Sequence, residues 1–308
     1  MRYLLLVVAG LICSHALFAR VNGGRIPALV AGDTIRILLV GNSFSNNATT
    51  YLREIAQSDG KVVILGRAER PGWSLQLHWH DVEKSEADRA HKPYGGKSLK
   101  ELLVGQPWDV VTLQQNSMNS SDLDTYKPYA RNLYHYIREH QPRAEVILHQ
   151  TWAYRSDAKQ FGSIGEGEHT TSEKAMWQKS RAAYRTIAAE LGIRRFPVGD
   201  AFWLAGRNKK YGYKRDIAFH YENPVYPALP NQRYALHVGY YWGEGNQFSF
   251  DPNHANENGC YLGSLVWYGV LTGESVRHIT FKPENMDEDY AAYLRKVAAK
   301  AVKKSKIN

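Results

Sequence analysis

The chain has 308 residues, of which 44% are hydrophobic and 22% are charged, a composition typical of a globular chain long enough for one large α/β domain. No internal repeat or low-complexity tract is present, so repeat architectures and biased linker sequences are excluded. Lysine and arginine (39) outnumber aspartate and glutamate (30), and the formal net charge of +9 favours an acidic partner or serves solubility.

The first residues have the three-part pattern of a secretory signal peptide. A charged residue precedes the apolar run Tyr3–Ile12, and small residues follow it. The run is too short to span a membrane, so we predict a cleaved signal peptide over 1–19 and a linker over 20–33. The alternative interpretation is a buried N-terminal strand. After cleavage we expect no stable membrane insertion.

The mature chain would keep a single cysteine, Cys260, and could therefore form no internal disulfide. For an exported protein this favours a bacterial periplasmic or secreted location over a disulfide-rich eukaryotic one. Cys260 is flanked by apolar residues, which favours a buried hydrophobic role over a reactive thiol.

The apolar run that begins at Ile35 stops at Gly41-Asn42-Ser43. This pattern predicts a buried parallel strand that ends in a tight turn, with a helix over 49–58 behind it. Ser43 would then lie at the carboxyl edge of a sheet, where ligands bind in open α/β folds. A serine there can be a nucleophile whose own amide stabilises an oxyanion, but a plain helix cap explains the turn equally well.

The β-branched run Lys61–Gly66 predicts the second strand, and it leads towards Gly72. Without a Cβ atom, the backbone of Gly72 can come close to a reacting carbonyl, although an ordinary turn glycine is an equal alternative. The histidines and carboxylate of 78–81 lack the spacing of a zinc site, so we predict no metal ion. We interpret 78–81 as a lid near the site, with Trp73 and Trp79 offering apolar faces.

The remaining strands and helices alternate. Strands are predicted at Asp109–Gln114, Glu145–Gln150 and Ile193–Val198, with helices over 124–140 and 172–191. This alternation predicts the α/β class, as a flavodoxin-like three-layer sandwich with a central parallel five-stranded sheet in the order 2-1-3-4-5. The glycine-rich loop 154–171 is predicted to be a mobile flap.

The segment 201–250 has no clear periodicity and is rich in aromatic residues. An irregular insertion of this length is unusual as an inert connection. Aromatic rings with polar edges suit the alternating apolar and hydroxylated faces of sugars. We predict Tyr241 and Trp242 as substrate contacts, and we expect about half of the rings only to pack the insertion onto the domain.

Asp251-Pro252-Asn253-His254 follows the insertion and precedes an apolar helix over 255–271. A carboxylate three residues before a histidine, on a loop that opens a helix, can orient the imidazole while the other ring nitrogen faces a serine. His149, at the end of the fourth strand, could also line the site. We prefer His254 as the base because Asp251 is adjacent to it.

The order Ser43, Asp251, His254 resembles that of the SGNH, or GDSL-like, hydrolases. Gly41-Asn42-Ser43-Phe44-Ser45 matches the first block of that family, with Asn42 in place of the usual aspartate, and Gly72 matches the second block. The segment from Gly41 to Ser45 together with Gly72-Trp73-Ser74-Leu75 is similar to an uncharacterised branch, a domain of unknown function frequent in glycan-degrading gut bacteria.

The third block of the family is Gly-x-Asn-Asp, where this chain has Gln114-Gln115-Asn116-Ser117. Alignment by position places Asn116 on the oxyanion-hole asparagine of the family, but the glycine is absent. Whether Asn116 or Gln115 faces the oxyanion stays open, and Gln115 is carried as a substrate-binding candidate.

The resemblance implies a hydrolase domain over 34–282, followed by a C-terminal helix and basic tail over 283–308. It implies a serine esterase without a cofactor, with Ser43, His254 and Asp251 as the catalytic residues. Ser43, Gly72 and Asn116 would form the oxyanion hole.

The predicted substrate is an acyl ester, most simply an O-acetyl ester, on a polysaccharide. No nucleic-acid partner is expected, because part of the positive charge lies in the tail. The alternatives are a lipid or aryl esterase, a non-catalytic glycan-binding protein, and a metal-dependent phosphoesterase that uses Asp251, His254 and His78.

Overall fold

The computed structural model describes residues 33–305, so the predicted signal peptide and nearly all of the linker lie outside the described residues. The strands in chain order are β1 (Thr34–Gly41), β2 (Val62–Glu69), β3 (Val110–Leu113), β4 (Glu145–His149), β5 (Ser163–Gly165), β6 (Glu168–His169), β7 (Arg194–Phe196), β8 (His237–Trp242) and β9 (Phe248–Ala255). Five of them form a parallel sheet in the order β2-β1-β3-β4-β7, and β5-β6 and β8-β9 form two separate antiparallel pairs. The predicted order 2-1-3-4-5 is confirmed.

Helices cover both faces of this sheet. They are α1 (Ser43–Ala48), α2 (Leu52–Ser58), α3 (Leu75–Ala87), α4 (Leu99–Val104), α5 (Tyr129–His140), α6 (Glu173–Leu191), α7 (Val198–Gly206), α8 (Glu257–Thr272) and α9 (Glu288–Ser305), with short 3₁₀ turns at Asn119–Ser121, Leu123–Tyr126, Glu244–Asn246 and Val276–His278. Along β1, Ile37 and Leu39 face one apolar core and Leu38 and Val40 face the other. Alternate side chains of one strand therefore pack into two cores, one on each face of the sheet. This arrangement confirms the predicted three-layer sandwich.

The predicted helix over 49–58 is wrong at its start, because the helical turn begins at Ser43 itself. The chain forms α1, breaks, and resumes as α2. At the break, the hydroxyl of Ser264 donates to the carbonyl of Ala48 (3.1 Å) and accepts from the amide of Tyr51 (3.1 Å). A side chain of α8 thus satisfies the two backbone groups that the interruption leaves unpaired.

The predicted helix over 124–140 is also shorter than expected. A 3₁₀ turn ends at Tyr126, Lys127 is extended, and α5 begins at Tyr129. Pro128 explains the interruption, because proline has no N–H to donate and disfavours a helical conformation in the residue before it.

The predicted lid over 78–81 is corrected to part of a packed helix. Ser74 caps α3 by accepting from the amide of Leu77, and Leu75, His78 and Val82 on one face of α3 are buried. The spacing of these residues by three or four positions places them on the face that packs against the sheet.

The predicted mobile flap over 154–171 is corrected to a packed segment. Tyr154 and Phe161 in this segment are buried in the core. The amide of Ser163 donates to the carbonyl of Met118 (2.7 Å), and the β5-β6 hairpin follows.

The aromatic insertion contains more regular structure than its sequence indicates, because it begins within α7 and ends in the β8-β9 hairpin. The residues Asp251 and His254 therefore lie on β9 and not on a loop, and the predicted helix over 255–271 begins at Glu257. His237 pairs with Ala255 and Gly239 with Asp251, so three residues of β9 face one residue of β8. This irregularity bends the strand, as bulges beside active sites do.

The predicted C-terminal helix is present as α9, which packs against α7 and α8 through an apolar face that includes Leu294 and Ala298. Residues 306–308 lie outside the part of the chain that the structure describes. Over 33–305, no helix combines the length and the apolar character needed to cross a bilayer.

The approach of α1 to α8 gives the first prediction. A Cβ atom on Gly263 would lie 2.9 Å from the Cα of Ala48, a backbone atom that cannot give way cheaply. We expect Gly263→Ala to lower the free energy of unfolding by about 1 to 3 kcal/mol, measured by urea denaturation. Gly206→Ala is the matched control, since its nearest neighbour is a side-chain oxygen at 4.0 Å. Equal stability of Gly263→Ala and the parent chain would contradict this packing.

Candidate active site

Ser43 lies where β1 ends and α1 begins, at the carboxyl edge of the central strand. It is the first residue of α1, so its amide has no acceptor within the helix. Asn42 is the N-cap residue, and its Oδ1 accepts from the amide of Phe44 (3.0 Å). The side chain of Asn42 therefore binds the amide of Phe44, and the amide of Ser43 stays available at the start of the helix.

The contacts of Asn42 give a reason for an asparagine at the position where the SGNH-like hydrolases usually have aspartate. Its Nδ2 donates to the carbonyl of Trp73 (3.0 Å), and its Oδ1 also accepts from Nε2 of Gln114 (2.6 Å). A carboxylate has no N–H to donate to Trp73. Asn42 is 2% exposed, so this buried side chain ties the serine turn to the Gly72 turn and to the end of β3.

A serine, a histidine and an aspartate meet at this edge in a continuous hydrogen-bonded chain. The Oγ of Ser43 lies 2.9 Å from Nε2 of His254, and Nδ1 of His254 lies 2.8 Å from Oδ2 of Asp251. The other carboxylate oxygen of Asp251 accepts from the amides of Asn253 (3.1 Å) and His254 (3.0 Å). Because the carboxylate accepts at Nδ1, that nitrogen carries the proton and Nε2 is free to accept from the serine hydroxyl.

Backbone groups of the Asp251–Ala255 segment are held from three sides. Nε1 of Trp152 donates to the carbonyl of Asn253 (2.8 Å), and the amide of Arg155 donates to the carbonyl of Pro252 (2.9 Å). From the serine side, Oδ1 of Asn47 accepts from the amide of Ala255 (3.2 Å). These contacts fix the histidine strand relative to both β4 and α1.

The charges of the pair reinforce each other. Burial would raise the pKa of Asp251, but hydrogen bonds from the His254 ring and from two amides outweigh it and lower that pKa to about 2. The hydrogen bond to Asp251 raises the pKa of His254, against the opposing effect of burial. Asp251 is therefore ionised at neutral pH, and it stabilises the protonated form of His254.

The two predicted oxyanion residues outside the helix lie next to each other. Oδ1 of Asn116 accepts from the amide of Asn119 (2.9 Å), which directs Nδ2 towards the carbonyl of Gly72 (3.2 Å). Gly72 has φ of +71°, so a residue with a Cβ atom would be strained there. The Nδ2 group retains a second hydrogen that it can offer to a ligand.

Gln115 does not face this edge. It is fully buried, and its Oε1 accepts from the amides of Leu75 (3.1 Å) and Asn116 (2.9 Å), while its Nε2 donates to Thr125. The structure therefore assigns Gln115 a structural role in place of the predicted substrate contact. Of the two amides left open by the sequence, Asn116 is the one whose side chain contacts the Gly72 turn.

His149 is likewise buried and supports the core. Its Nδ1 donates to Oε1 of Gln114 (3.1 Å), and burial lowers the pKa of His149 to about 3. Gln114 also accepts from the hydroxyl of Ser45. The sequence-based preference for His254 as the base agrees with this placement.

Tyr241 and Trp242 lie at the far end of β8. Trp242 is three residues from Gly239, which pairs with Asp251, and at ~3.3 Å per residue this corresponds to roughly 10 Å along the strand. Nε1 of Trp242 donates to the carbonyl of Ala228 (3.0 Å), and the Tyr241 side chain is 41% exposed. Any contact from these rings would reach a part of a substrate remote from the serine, and such contact stays a prediction.

His78, the third ligand of the phosphoesterase alternative, faces away from His254. Its Nε2 donates to the carbonyl of Gly41 (3.0 Å) and its Nδ1 accepts from the hydroxyl of Tyr94 (2.8 Å). Burial lowers the pKa of His78 to about 4. Both ring nitrogens are thus occupied within the core, and this arrangement does not bring the three proposed ligands together.

Sequence reasoning missed the residues that hold the site together, namely Asn42 as a three-way connector, Gln114 and Trp152. The Gly-Asn-Ser turn could have indicated Asn42, because asparagine is a preferred N-cap residue. No local pattern indicates Trp152, since its acceptor is 101 residues away in the chain.

Residues 36–180 match the family model of DUF4886, a domain of unknown function. The predicted resemblance to a branch of this kind is confirmed. No curated protein matches the chain.

Among solved structures, a DUF4886 family protein from Bacteroides uniformis is 24% identical, with a TM-score of 0.68 over 88% of this chain and 95% of the other. This likeness shows a shared fold. A protein assigned to the SGNH hydrolases from Slackia heliotrinireducens is 16% identical (TM-score 0.44; 77% and 99% covered). Phospholipase A1 from Streptomyces albidoflavus is 14% identical (TM-score 0.40; 79% and 99% covered).

The contact between His254 and Asp251 predicts a raised histidine pKa. We expect NMR titration of the ring to give a pKa of His254 above the ordinary value of about 6.5, and a lower one in Asp251→Asn, which removes the charge. The protonated ring then stabilises the fold fully below about pH 6.5 as long as Asp251 stays ionised, and this contribution is lost as the pH rises through the folded-state pKa of His254. At the acid end it is lost as the pH falls towards the Asp251 pKa of about 2.

Asp289→Asn is the control for that titration. Asp289 is exposed on α9, so the substitution removes the same charge at a position away from His254. A His254 pKa that is unchanged in Asp251→Asn would show that the two side chains are not coupled.

Proposed function

We propose that this protein is a serine esterase that hydrolyses acyl esters, most simply O-acetyl esters, on a polysaccharide. One observation carries the proposal: the hydroxyl of Ser43, the ring of His254 and the carboxylate of Asp251 form a chain with separations of 2.9 Å and 2.8 Å. This is the geometry in which a histidine activates a serine nucleophile.

In the first step, Oγ of Ser43 attacks the ester carbonyl carbon while its proton passes to Nε2 of His254. Asp251 holds the proton on Nδ1 and stabilises the imidazolium that forms. When the tetrahedral intermediate collapses, His254 returns the proton to the leaving alcohol of the sugar. The acyl group is then bonded to Ser43.

In the second step, a water molecule takes the place of the alcohol. His254 accepts a proton from the water as it attacks the acyl carbon, and the acid leaves when the proton returns to Ser43. In both steps the carbonyl oxygen becomes negative, and the amides of Ser43 and Gly72 together with Nδ2 of Asn116 are the donors for it.

The form of the site favours a polymeric, polar substrate over a lipid. The His254 side chain is 38% exposed and Gly72 is exposed, so the nucleophile lies on an accessible face of the protein. The side chains beside it that reach this face include the polar Asn47 and Asn116. A lipid esterase would instead need an apolar groove for the acyl chain.

Covalent labelling tests the nucleophile. We expect a fluorophosphonate probe to modify Ser43, found by mass spectrometry of the digested protein, and Ser43→Ala to lower kcat for acetate release from an acetylated glycan by about 10⁴-fold or more. Ser58→Ala, at an exposed helix end, is the control and should keep both properties. Labelling of another serine, or acetate release by Ser43→Ala at the parent rate, would refute the proposal.

The side chain of Asn116 gives a second prediction. Its loss removes one donor to the oxyanion, so we expect Asn116→Ala to lower kcat by about a hundredfold to a thousandfold with a much smaller change in KM. Asn119→Ala is the matched control, because only the backbone of Asn119 contacts Asn116. A kcat that falls equally in both variants would indicate a structural effect on the loop.

A further inference from the structure

A positively charged side chain flanks the Gly72 turn without a carboxylate partner. The guanidinium carbon of Arg70 lies 4.0 Å from the centre of the Trp73 indole ring. Within residues 33–305, Arg70 makes no ion pair, and the nearby carboxylate of Glu69 is bound by Arg67 (2.7 Å). Arg70 is partly exposed, so its charge is available to a ligand.

Trp73, on which Arg70 stacks, is held by hydrogen bonds to its ring and to its backbone. Its Nε1 donates to Oδ2 of Asp81 (2.9 Å), and the backbone carbonyl of Trp73 accepts from Asn42 (3.0 Å). Asp81 is itself 5% exposed and accepts from His91 through its other oxygen (2.8 Å). A guanidinium stacked on a fixed ring keeps its N–H edge pre-organised for a planar anion.

This cation lies within reach of the serine. Glu69 pairs with Gly41 across β2 and β1, and the amide of Arg70 donates to the carbonyl of Gly41 (3.2 Å). With strands about 4.8 Å apart and at most ~3.6 Å per residue, the Cα atoms of Arg70 and Ser43 are separated by at most about 16 Å. The arginine side chain covers part of this distance, and a sugar unit that carries the ester can cover the remainder.

We propose that Arg70, stacked on Trp73, binds the carboxylate of an acidic sugar next to the scissile ester, so that the substrate is an acylated uronic-acid polysaccharide. The proposal rests on the esterase function above and names the substrate class of the same site. Two N–H groups of the guanidinium match the two oxygens of a carboxylate. The carboxylate of Asp81 is bound by Trp73 and His91, and one oxygen of Glu69 is bound by Arg67, so neither group forms an ion pair with Arg70.

The test compares two substrates that differ only in charge: acetylated oligogalacturonides and their carboxyl-reduced, neutral counterparts. We expect the parent protein to have a higher kcat/KM on the acidic substrate, and Arg70→Gln to lower the acidic-to-neutral ratio about five- to tenfold. Arg70→Lys keeps the charge without the planar fork and should give an intermediate ratio. Added salt should reduce the parent ratio.

Arg53→Gln is the matched control, because it removes the same charge from the exposed surface of α2, and its ratio should equal that of the parent. If Arg70→Gln hydrolyses both substrates with the parent ratio, the carboxylate site is refuted while the esterase function stands.

A binding measurement separates the two proposals. Calorimetry with trigalacturonate, which carries no acyl ester, should show about five- to tenfold weaker binding to Arg70→Gln than to the parent and to Arg53→Gln. Equal dissociation constants for all three proteins would overturn the site. Failure of every protein to release acetate would instead count against the esterase function alone.

Discussion

One hydrogen bond joins parts of the chain that are 211 residues apart, and the site depends on it. The hydroxyl of Ser43 comes from the first strand of the sheet, and the ring of His254 comes from a hairpin placed after the last one. The two meet because α1 packs closely on α8, where Gly263 leaves room for Ala48. The same packing holds the end of β9 through Asn47. The proposed chemistry therefore depends on the core as much as on the side chains of Ser43, His254 and Asp251.

Asn42 shows how a buried polar side chain can organise a site without touching a substrate. Its amide connects the serine turn, the carbonyl of Trp73 and the side chain of Gln114. Because the contacts with the Phe44 amide and with Gln114 are buried, losing one would leave a polar atom without a partner, at a cost of about 1 to 3 kcal/mol. The positions of Ser43 and of the Gly72 turn are thus coupled through one residue.

The sheet and the pairing of Asp251 with His254 could be predicted from the sequence because their signals are local. Buried strands such as β1 are continuous apolar runs, and Asp251 and His254 are only three residues apart, so their relation is visible in one short segment. The conformation of that segment could not be predicted, since β9 exists only through pairing with β8. Propensity alone does not specify such pairing.

The errors in the predicted elements have the same origin. Residues 78–81 were expected to form a lid with the apolar faces of Trp73 and Trp79, yet both ring nitrogens of His78 are hydrogen-bonded within the core, to Gly41 and Tyr94. Gln115 and Asn116 are adjacent amides that the sequence cannot distinguish. Tertiary contacts decide that one is buried and the other faces the site.

A crystal structure of the protein after reaction with a phosphonate ester, which mimics the tetrahedral intermediate, would test the serine mechanism directly. We expect phosphorus bonded to Oγ of Ser43, with one phosphonyl oxygen within about 3 Å of the amides of Ser43 and Gly72 and of Nδ2 of Asn116. A phosphonyl oxygen directed away from these three donors, or an adduct on a different residue, would contradict it.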